Sequence, residues 1–234
     1  DFSFDLDALK KAARENDILV LVNPDNPSGA FLTKDELLEL LDVCRQSGTR
    51  CVVDESFVDF AEPALRYTLL DDALLERYPT LVVMKSISKS YGVPGLRLGV
   101  LATADTEFLA SLRELLPIWN INSFAEYFMQ IFTLYESSYA AACGRIAEQR
   151  AAMLERLGRF PFLRPYPSQA NYILCAVSGI SSKALAERLL TDSRLLIKDC
   201  SHKNGFDGAD FVRIAVRDEA DNQALYDALE KIQP

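Results

Sequence analysis

The order of apolar and polar residues predicts alternating helices and strands in the first half of the chain. Apolar residues recur at helical spacing over residues 6–15, and the apolar run over residues 17–22 is typical of a buried strand. Thr33 and Glu36 have the spacing of a capping box, which predicts a helix that begins there, continues to about Gln46 and stops at Gly48.

Three further strands are predicted over residues 50–54, 81–84 and 96–102. These runs are apolar without strict alternation, and helical segments separate the strands. Both properties are typical of a parallel sheet that is covered by helices on both faces. The sequence therefore predicts an α/β fold with a mostly parallel sheet.

The pattern changes after Pro117. A long helical pattern over residues 124–157 is followed by a predicted strand over 170–176, a helix over 182–190, strands over 195–198 and 211–216, and a helix over 219–232. This order predicts a smaller α+β carboxyl-terminal domain. We expect a large domain over residues 1–117, a connecting long helix over 118–158 and the small domain over 159–234.

Composition and charge exclude several classes of function. Apolar residues make up 49% and charged residues 25% of the chain, which is ordinary for a soluble globular protein. The net charge of −9 disfavours nucleic-acid and anionic-membrane partners, and no apolar run approaches the length of a membrane span. The single histidine, His202, rules out a multi-histidine metal site, so no metal is predicted. The five cysteines are expected to be reduced thiols of a cytoplasmic protein.

Three polar residues follow predicted strands of the first half, namely Asn26, Asp54 and Lys89. Because loops after parallel strands converge at one edge of the sheet, we expect these side chains to lie close together. A lysine among hydroxyls at the end of a strand is suited to hold an aldehyde cofactor as a Schiff base. Each residue also has an ordinary explanation: Lys89 as a solvated lysine, Asn26 as a turn residue and Asp54 as a helix cap or surface carboxylate.

The remaining candidates complete the binding of such a cofactor. A carboxylate at Asp54 would keep a pyridinium nitrogen protonated, and Asn26 could donate a hydrogen bond to a ring oxygen. A phosphate could be held by Ser86, Ser88 and Arg97. The alternative for the two serines is that they are ordinary turn formers.

Three motifs carry a family resemblance: the turn Asn23-Pro24-Asp25-Asn26-Pro27-Ser28-Gly29, the strand end Asp54-Glu55-Ser56-Phe57, and the run from Ser86 to Gly99 around Lys89. They resemble the fold-type I pyridoxal-phosphate enzymes of the class I/II aminotransferase family. The resemblance implies that Lys89 forms the internal aldimine and shuttles the α-proton. It also implies that Asp54 pairs with the pyridine nitrogen, Asn26 with the ring hydroxyl, and Ser86, Ser88 and Arg97 with the phosphate.

The resemblance continues into the second half of the chain. Residues 167–172 and the run Phe211-Val212-Arg213-Ile214 are similar to landmarks of the family's small domain, where Arg213 would clamp a substrate α-carboxylate. The alternative for Arg213 is a surface position in mid-strand. Phe57 stands where many relatives carry a tyrosine whose hydroxyl meets the cofactor ring oxygen.

Within the family, the chain is most similar to the branch of histidinol-phosphate aminotransferases and threonine-phosphate decarboxylases. This branch is indicated by Leu195–Cys200, by Arg213–Arg217 and by Asn122, which resembles a landmark near the cofactor. The resemblance implies a small, phosphorylated amino acid as substrate, with Arg217 meeting its phosphate or lying solvated at a strand end. Transamination and decarboxylation use the same residues, so the choice between a transferase and a lyase stays open.

The resemblance also predicts what the chain lacks. Only 22 residues precede Asn23, too few for the glycine-rich turn, the stacked aromatic ring and the extra strands that the family places there. We therefore expect the carboxyl-terminal part of such an enzyme, from a longer polypeptide, with an exposed sheet edge and apolar face. A homodimer is implied by the family. A non-catalytic aminotransferase-like module remains the alternative.

Overall fold

The computed structural model describes residues 2–206 and 208–232, which divide into two compact units. The parallel-sheet unit comprises residues 3–24 and 31–143. The antiparallel-sheet unit comprises the described residues among 1–2, 25–30 and 144–234.

A four-stranded sheet forms the centre of the parallel-sheet unit. Its strands, in spatial order, are β1 (Ile18–Val22), β2 (Arg50–Asp54), β3 (Leu81–Ser86) and β4 (Gly99–Ala102). The first three are parallel, and β4 runs antiparallel to β3. The connection over residues 87–98 contains only short helical turns, so β4 returns directly beside β3 without a crossover helix. The predicted α/β fold with a mostly parallel sheet is confirmed.

The helices of this unit lie before, between and after the strands along the chain. They are α1 (Leu6–Glu15), α2 (Lys34–Ser47), α3 (Asp72–Arg77), α4 (Ile87–Ser90), α5 (Thr106–Leu115) and α6 (Ser123–Ile131). The predicted capping box is present at α2: the Glu36 amide donates to Thr33 Oγ1, and the Thr33 amide donates to Glu36 Oε2 at 2.8 Å. Gly48 ends α2 with a φ of +75°, a conformation that glycine adopts without steric cost.

The two faces of the parallel sheet differ in burial. Leu21, Val53 and Leu81 belong to an apolar core that includes buried leucines of α2. On the opposite face and at the sheet edge, Ile18 and Val20 are 57% and 67% exposed. The predicted exposed edge and apolar face are therefore present in this unit.

The predicted long helix consists of two helices. A 3-10 turn at Phe132–Tyr135 separates α6 from α7 (Glu136–Leu157). Phe132 in this turn packs edge-on against Tyr91, with ring centroids 4.6 Å apart. Helical periodicity alone could not reveal the interruption, because it coincides with a contact to a residue distant in sequence.

The antiparallel-sheet unit contains a second sheet of four strands, in the order β5-β6-β8-β7. Its elements are β5 (Leu163–Pro165), β6 (Tyr172–Val177), α8 (Ser182–Ser193), β7 (Lys198–Asp199), β8 (Phe211–Ala215) and α9 (Glu219–Leu229). Its core includes Met153, Ile173 and Val212, all buried. The smaller α+β arrangement is confirmed.

The strand predicted over residues 195–198 is displaced. The helix α8 continues to Ser193 and ends at Arg194, whose φ of +57° is left-handed. The Leu195 amide then donates to the Leu189 carbonyl at 3.0 Å, so the chain is still completing the helix end where the strand was expected. Pairing with β8 begins only at Lys198.

Two further findings concern the described residues as a whole. Helices long and apolar enough to span a bilayer are absent from them. All five cysteines are buried and carry free thiols.

Candidate functional site

A cavity of about 230 Å³ lies at the carboxyl end of β2 and β3 in the parallel-sheet unit. It is lined by Asp54, Ser56, Met84, Lys85, Ser86, Ser88, Lys89, Arg97, Leu98, Gly99 and Val100. Five residues selected from the sequence thus meet here, namely Asp54, Ser86, Ser88, Lys89 and Arg97. Their convergence follows from the parallel direction of β2 and β3, which brings their carboxyl ends to one edge.

Asp54 is the last residue of β2, and one of its carboxylate oxygens is engaged locally. Its Oδ1 accepts hydrogen bonds from the Ser56 amide at 2.9 Å and from the Ser56 hydroxyl. The Ser56 Oγ in turn accepts from the Ser86 amide at 2.8 Å, which ties the ends of β2 and β3 together. Within the described chain, Asp54 Oδ2 accepts no hydrogen bond, so this oxygen is available to a cationic partner.

Lys89 lies on the one-turn helix α4, directly after β3. Its Nζ lies 4.8 Å from the centroid of the Phe57 ring. Among residues 2–206 and 208–232, no carboxylate forms an ion pair with this ammonium. A lysine amine on a cavity wall without a carboxylate partner is chemically available for bonding to a carbonyl carbon.

The three candidates for a phosphate are held differently. The buried Ser88 hydroxyl donates to the Leu98 carbonyl at 3.3 Å, whereas Ser86 is held through its amide. Arg97 has a left-handed φ of +56°, and one guanidinium nitrogen donates to the Pro94 carbonyl at 3.2 Å. The other guanidinium donors of Arg97 and the hydroxyl of Ser86 make no hydrogen bond within the described chain, so both side chains are available to an anion.

Asn122 has a local structural task. Its Oδ1 accepts from the Ala125 amide at 3.0 Å and so caps α6, while its Nδ2 donates to the Leu96 carbonyl at 2.9 Å. The side chain therefore connects the start of α6 to the residue that precedes Arg97. A contact of Asn122 with substrate stays a prediction.

In the antiparallel-sheet unit, Arg213 and Asn26 lie together. Arg213 Nη1 donates to Asn26 Oδ1 at 2.6 Å, and the guanidinium lies 4.9 Å from the centroid of the Tyr172 ring. No carboxylate of the described chain pairs with Arg213. Since a half-buried guanidinium is costly without an anion, this arrangement is suited to bind a carboxylate ligand.

The turn that carries Asn26 is fixed to the same unit. Tyr172 donates its hydroxyl to the Asp25 carbonyl at 2.8 Å, and the Gln169 amide donates to the Gly29 carbonyl at 2.9 Å. Gly29 has a φ of +77°, which the turn requires. The motif's glycine thus serves the placement of Asn26.

Arg217 lies beyond the end of β8 and is exposed. Its Nε donates to Asp221 Oδ2 at 2.9 Å, an exposed i,i+4 ion pair. A role in binding a substrate phosphate stays a prediction.

The sequence reasoning missed a buried polar group beside Lys89. Lys85 Nζ donates to Asp59 Oδ1 at 2.9 Å, and the Tyr139 hydroxyl donates to Asp59 Oδ2 at 2.6 Å. Burial, followed by the Asp59 charge, raises the pKa of Tyr139 well above its usual range, so Tyr139 remains a neutral donor. The sequence did contain a sign of this group: Lys85 directly follows the apolar run predicted as a strand over residues 81–84, and a charged side chain next to buried apolar positions needs a partner.

Glu55, the second acid of the strand-end motif, holds a neighbouring loop. It accepts from the Leu69 amide at 2.8 Å and from the Thr68 hydroxyl. Burial raises the pKa of this carboxyl, while these two hydrogen bonds oppose the rise. Glu55 therefore stabilises the conformation of the loop at residues 68 and 69.

Both the sequence and the fold of the chain are similar to those of known proteins. The sequence profile of the family described as aminotransferase class I and II matches residues 1–229. The chain is 37% identical over 217 residues to the CMP-5'-(3-aminopropyl)phosphonate synthase of Streptomyces rubellomurinus, covering 92% of this chain and 34% of that protein. It is 31% identical over 238 residues to the L-serine phosphate decarboxylase of Sulfurospirillum multivorans, covering 99% of this chain and 60% of that protein.

A solved structure agrees with these sequence similarities. The histidinol-phosphate aminotransferase from Clostridium acetobutylicum superposes with a TM-score of 0.87 at 26% identity, covering 97% of this chain and 67% of that chain. The present chain spans between about a third and three fifths of the length of the two curated relatives.

Proposed function

The chain belongs to the class I and II aminotransferase family, and from this membership we propose that it carries the chemistry of a pyridoxal-phosphate-dependent, aminotransferase-type enzyme acting on a small, phosphorylated amino acid. The observation that carries the proposal is the cavity at the ends of β2 and β3, where Lys89, Asp54 and Arg97 meet. We propose that Lys89 is the covalent and proton-transfer residue.

Family membership indicates pyridoxal 5'-phosphate as the cofactor, and the donor set of the cavity fits this molecule. Lys89 supplies an amine without an ion-pair partner among the described residues, Asp54 keeps one carboxylate oxygen available, and Arg97 keeps guanidinium donors available. These are the groups that an aldehyde, a ring nitrogen and a phosphate require. When bound, the cofactor withdraws electrons from the substrate Cα.

Each residue of the cavity would then have a separate role in binding the cofactor or in moving a proton. Asp54 would hold the proton on the ring nitrogen through its available Oδ2. Arg97 would bind the phosphate with Ser86, and Ser88 would join them only by releasing the Leu98 carbonyl. Lys89 would bind the cofactor through its amine and afterwards carry the proton to and from the substrate Cα.

The antiparallel-sheet unit contributes a separate binding group to the proposal. Arg213, oriented by Asn26, would bind the α-carboxylate of the amino acid through the guanidinium hydrogens that have no partner within the described chain. Asn26 would also donate to the cofactor ring oxygen, and Arg217 and Asn122 would contact substrate, as the family resemblance implies. We also propose that the protein forms a homodimer. The expected domain boundaries at residues 117 and 158 stay a prediction.

A second candidate reaction is α-decarboxylation of the same class of substrate. It is favoured by the similarity to the L-serine phosphate decarboxylase of Sulfurospirillum multivorans. The residues placed above serve both reactions, because the two differ only in which bond of the substrate Cα lies perpendicular to the cofactor ring.

One assay separates the candidates. The protein, at the length at which its cell makes it, is loaded with cofactor and given L-serine phosphate, threonine phosphate or histidinol phosphate, each with a 2-oxo acid. Mass spectrometry then distinguishes an amine formed with loss of carbon dioxide from a carbonyl product formed with an aminated 2-oxo acid. Arg213→Lys, which keeps the charge but loses the planar fork, should raise KM for the substrates that carry an α-carboxylate. Turnover of unphosphorylated amino acids alone would contradict the proposed substrate class.

A further inference from the structure

A buried polar chain links the two ends of the turn that carries Lys89. It runs from Lys85 through Asp59 to Tyr139, and the Tyr139 ring stacks on Tyr91 with centroids 4.2 Å apart and planes 9° apart. Lys85 and Tyr91 flank α4, the one-turn helix that contains Lys89. One carboxylate, that of Asp59, thus connects to both flanks.

Besides this polar chain, the turn is restrained by the Leu98 carbonyl, which accepts from the Ile87 amide at 3.1 Å and from the Ser88 hydroxyl at 3.3 Å. Within α4 and its end, the Tyr91 amide donates to the Ile87 carbonyl at 3.2 Å and the Gly92 amide to the Lys89 carbonyl at 3.4 Å. A helix of one turn is not stable through such bonds alone, because its nucleation costs more than they return. Its conformation therefore depends on the side chains that fix it to the rest of the unit.

We propose that Asp59 is a positioning residue for Lys89, acting through Lys85 on one side of α4 and through Tyr139 and Tyr91 on the other. The inference rests on the proposed function of Lys89. Asp59 itself need not touch cofactor or substrate, because its two oxygens are already occupied by Lys85 and Tyr139.

Burial makes this link strong and sensitive to substitution. Lys85 is only 7% exposed, and its next carboxylate, Glu55, is 3.9 Å away, so Asp59 is its main partner. Asp59→Asn removes the carboxylate charge, so Lys85 keeps only a neutral acceptor, and Tyr139 can stay hydrogen-bonded only if its hydroxyl turns to accept from the amide N–H. The links from residue 59 to both flanks of α4 are thereby weakened.

Hydrogen exchange on the cofactor-free protein tests the positioning directly. Asp59→Asn should speed exchange of the Tyr91 and Gly92 amides by about tenfold, corresponding to about 1.4 kcal/mol. Asp105→Asn is the matched control, because Asp105 pairs with Arg50 at 2.6 Å in the same unit but has no link to α4. This control should change exchange in residues 86–92 by less than about twofold. Equal acceleration by both variants would overturn the inference.

A second readout connects the turn to the lysine. Borohydride fixation at timed intervals after addition of cofactor measures how quickly Lys89 captures it. Asp59→Asn should slow capture several-fold, and Asp59→Glu, which keeps both acceptor oxygens, should restore most of the rate. If Asp59→Asn does not fold, Tyr139→Phe takes its place, since it removes one hydrogen bond and keeps the stacked ring. Unchanged capture and exchange in Tyr139→Phe would refute the positioning role. Failure of the unaltered protein to label Lys89 would instead refute the proposed function, whatever the exchange result.

Discussion

Gly29→Ala should destabilise the antiparallel-sheet unit more than an ordinary glycine substitution. A Cβ built at Gly29 would lie 2.0 Å from Ser168 Oγ, 2.5 Å from its Cβ and 3.0 Å from its Cα. The Ser168 backbone cannot easily withdraw, because the neighbouring Gln169 amide donates to the Gly29 carbonyl at 2.9 Å. The substitution therefore combines left-handed strain with a steric clash.

The two contributions can be estimated and separated. A non-glycine residue at the Gly29 φ of +77° costs about 1–2 kcal/mol, and overpacking against Ser168 adds about 1–3 kcal/mol. Gly205→Ala is the matched control in the same unit, because Gly205 has a φ of +85° but no atom within 4 Å of the added Cβ. It should show the strain alone.

Native-state hydrogen exchange of the β6 and β8 amides measures the effect on this unit. We expect the free energy of opening to fall by about 2–5 kcal/mol in Gly29→Ala and by about 1–2 kcal/mol in Gly205→Ala. Equal losses in the two variants would refute the claim that close contact with Ser168 requires glycine at this turn. A larger loss in Gly29→Ala would also predict weaker carboxylate binding, since the turn holds Asn26 against Arg213.

Two further predictions concern the parallel-sheet unit. Thr33→Ala removes the cap of α2 and should lower the free energy of unfolding by about 1 kcal/mol. Hydrogen bonds from the Thr33 side chain and then its amide lower the pKa of Glu36 from 4.5. The stabilisation contributed by the ionised Glu36 carboxylate is therefore present above pH 4.5 and is lost as the pH falls through the folded pKa. An NMR titration should show the Glu36 midpoint returning toward 4.5 in Thr33→Ala, and an unmoved midpoint would contradict the assignment. Phe57→Tyr supplies a hydroxyl near Lys89 that can donate to the cofactor ring oxygen, so it should lower the pH midpoint of the cofactor's visible absorbance band. An unchanged midpoint in a spectrophotometric titration would refute this effect of a donor at position 57.

The features of the fold and the candidate site that depend on residues close together in the sequence could be predicted. Asp54 and Lys89 each follow an apolar strand, and parallel strands bring such residues to one edge. The cap at Thr33 and Glu36 and the stop at Gly48 are also local, and all three are present. These features depend on residues a few positions apart, which a periodic pattern records directly.

Other features depend on contacts between distant residues and could not be read from a pattern. Asp59 and Tyr139 are 80 residues apart in sequence, and Asn26 and Arg213 are 187 apart. The direction of β4 and the displaced start of β7 likewise follow from pairing with a neighbouring strand, which no single segment encodes. A charged residue in an apolar strand, such as Lys85, is the one local sign that such a contact exists.

The central claim is that Lys89 is the lysine that binds the cofactor. The most direct measurement adds pyridoxal 5'-phosphate to the protein, reduces it with borohydride and locates the covalent label by peptide mapping, with Lys89→Ala and Lys85→Arg as paired variants. The account predicts a visible absorbance band and a single label on Lys89, both retained in Lys85→Arg and lost in Lys89→Ala. A label on Lys85, or labels spread over exposed lysines with Lys89 unmodified, would contradict it.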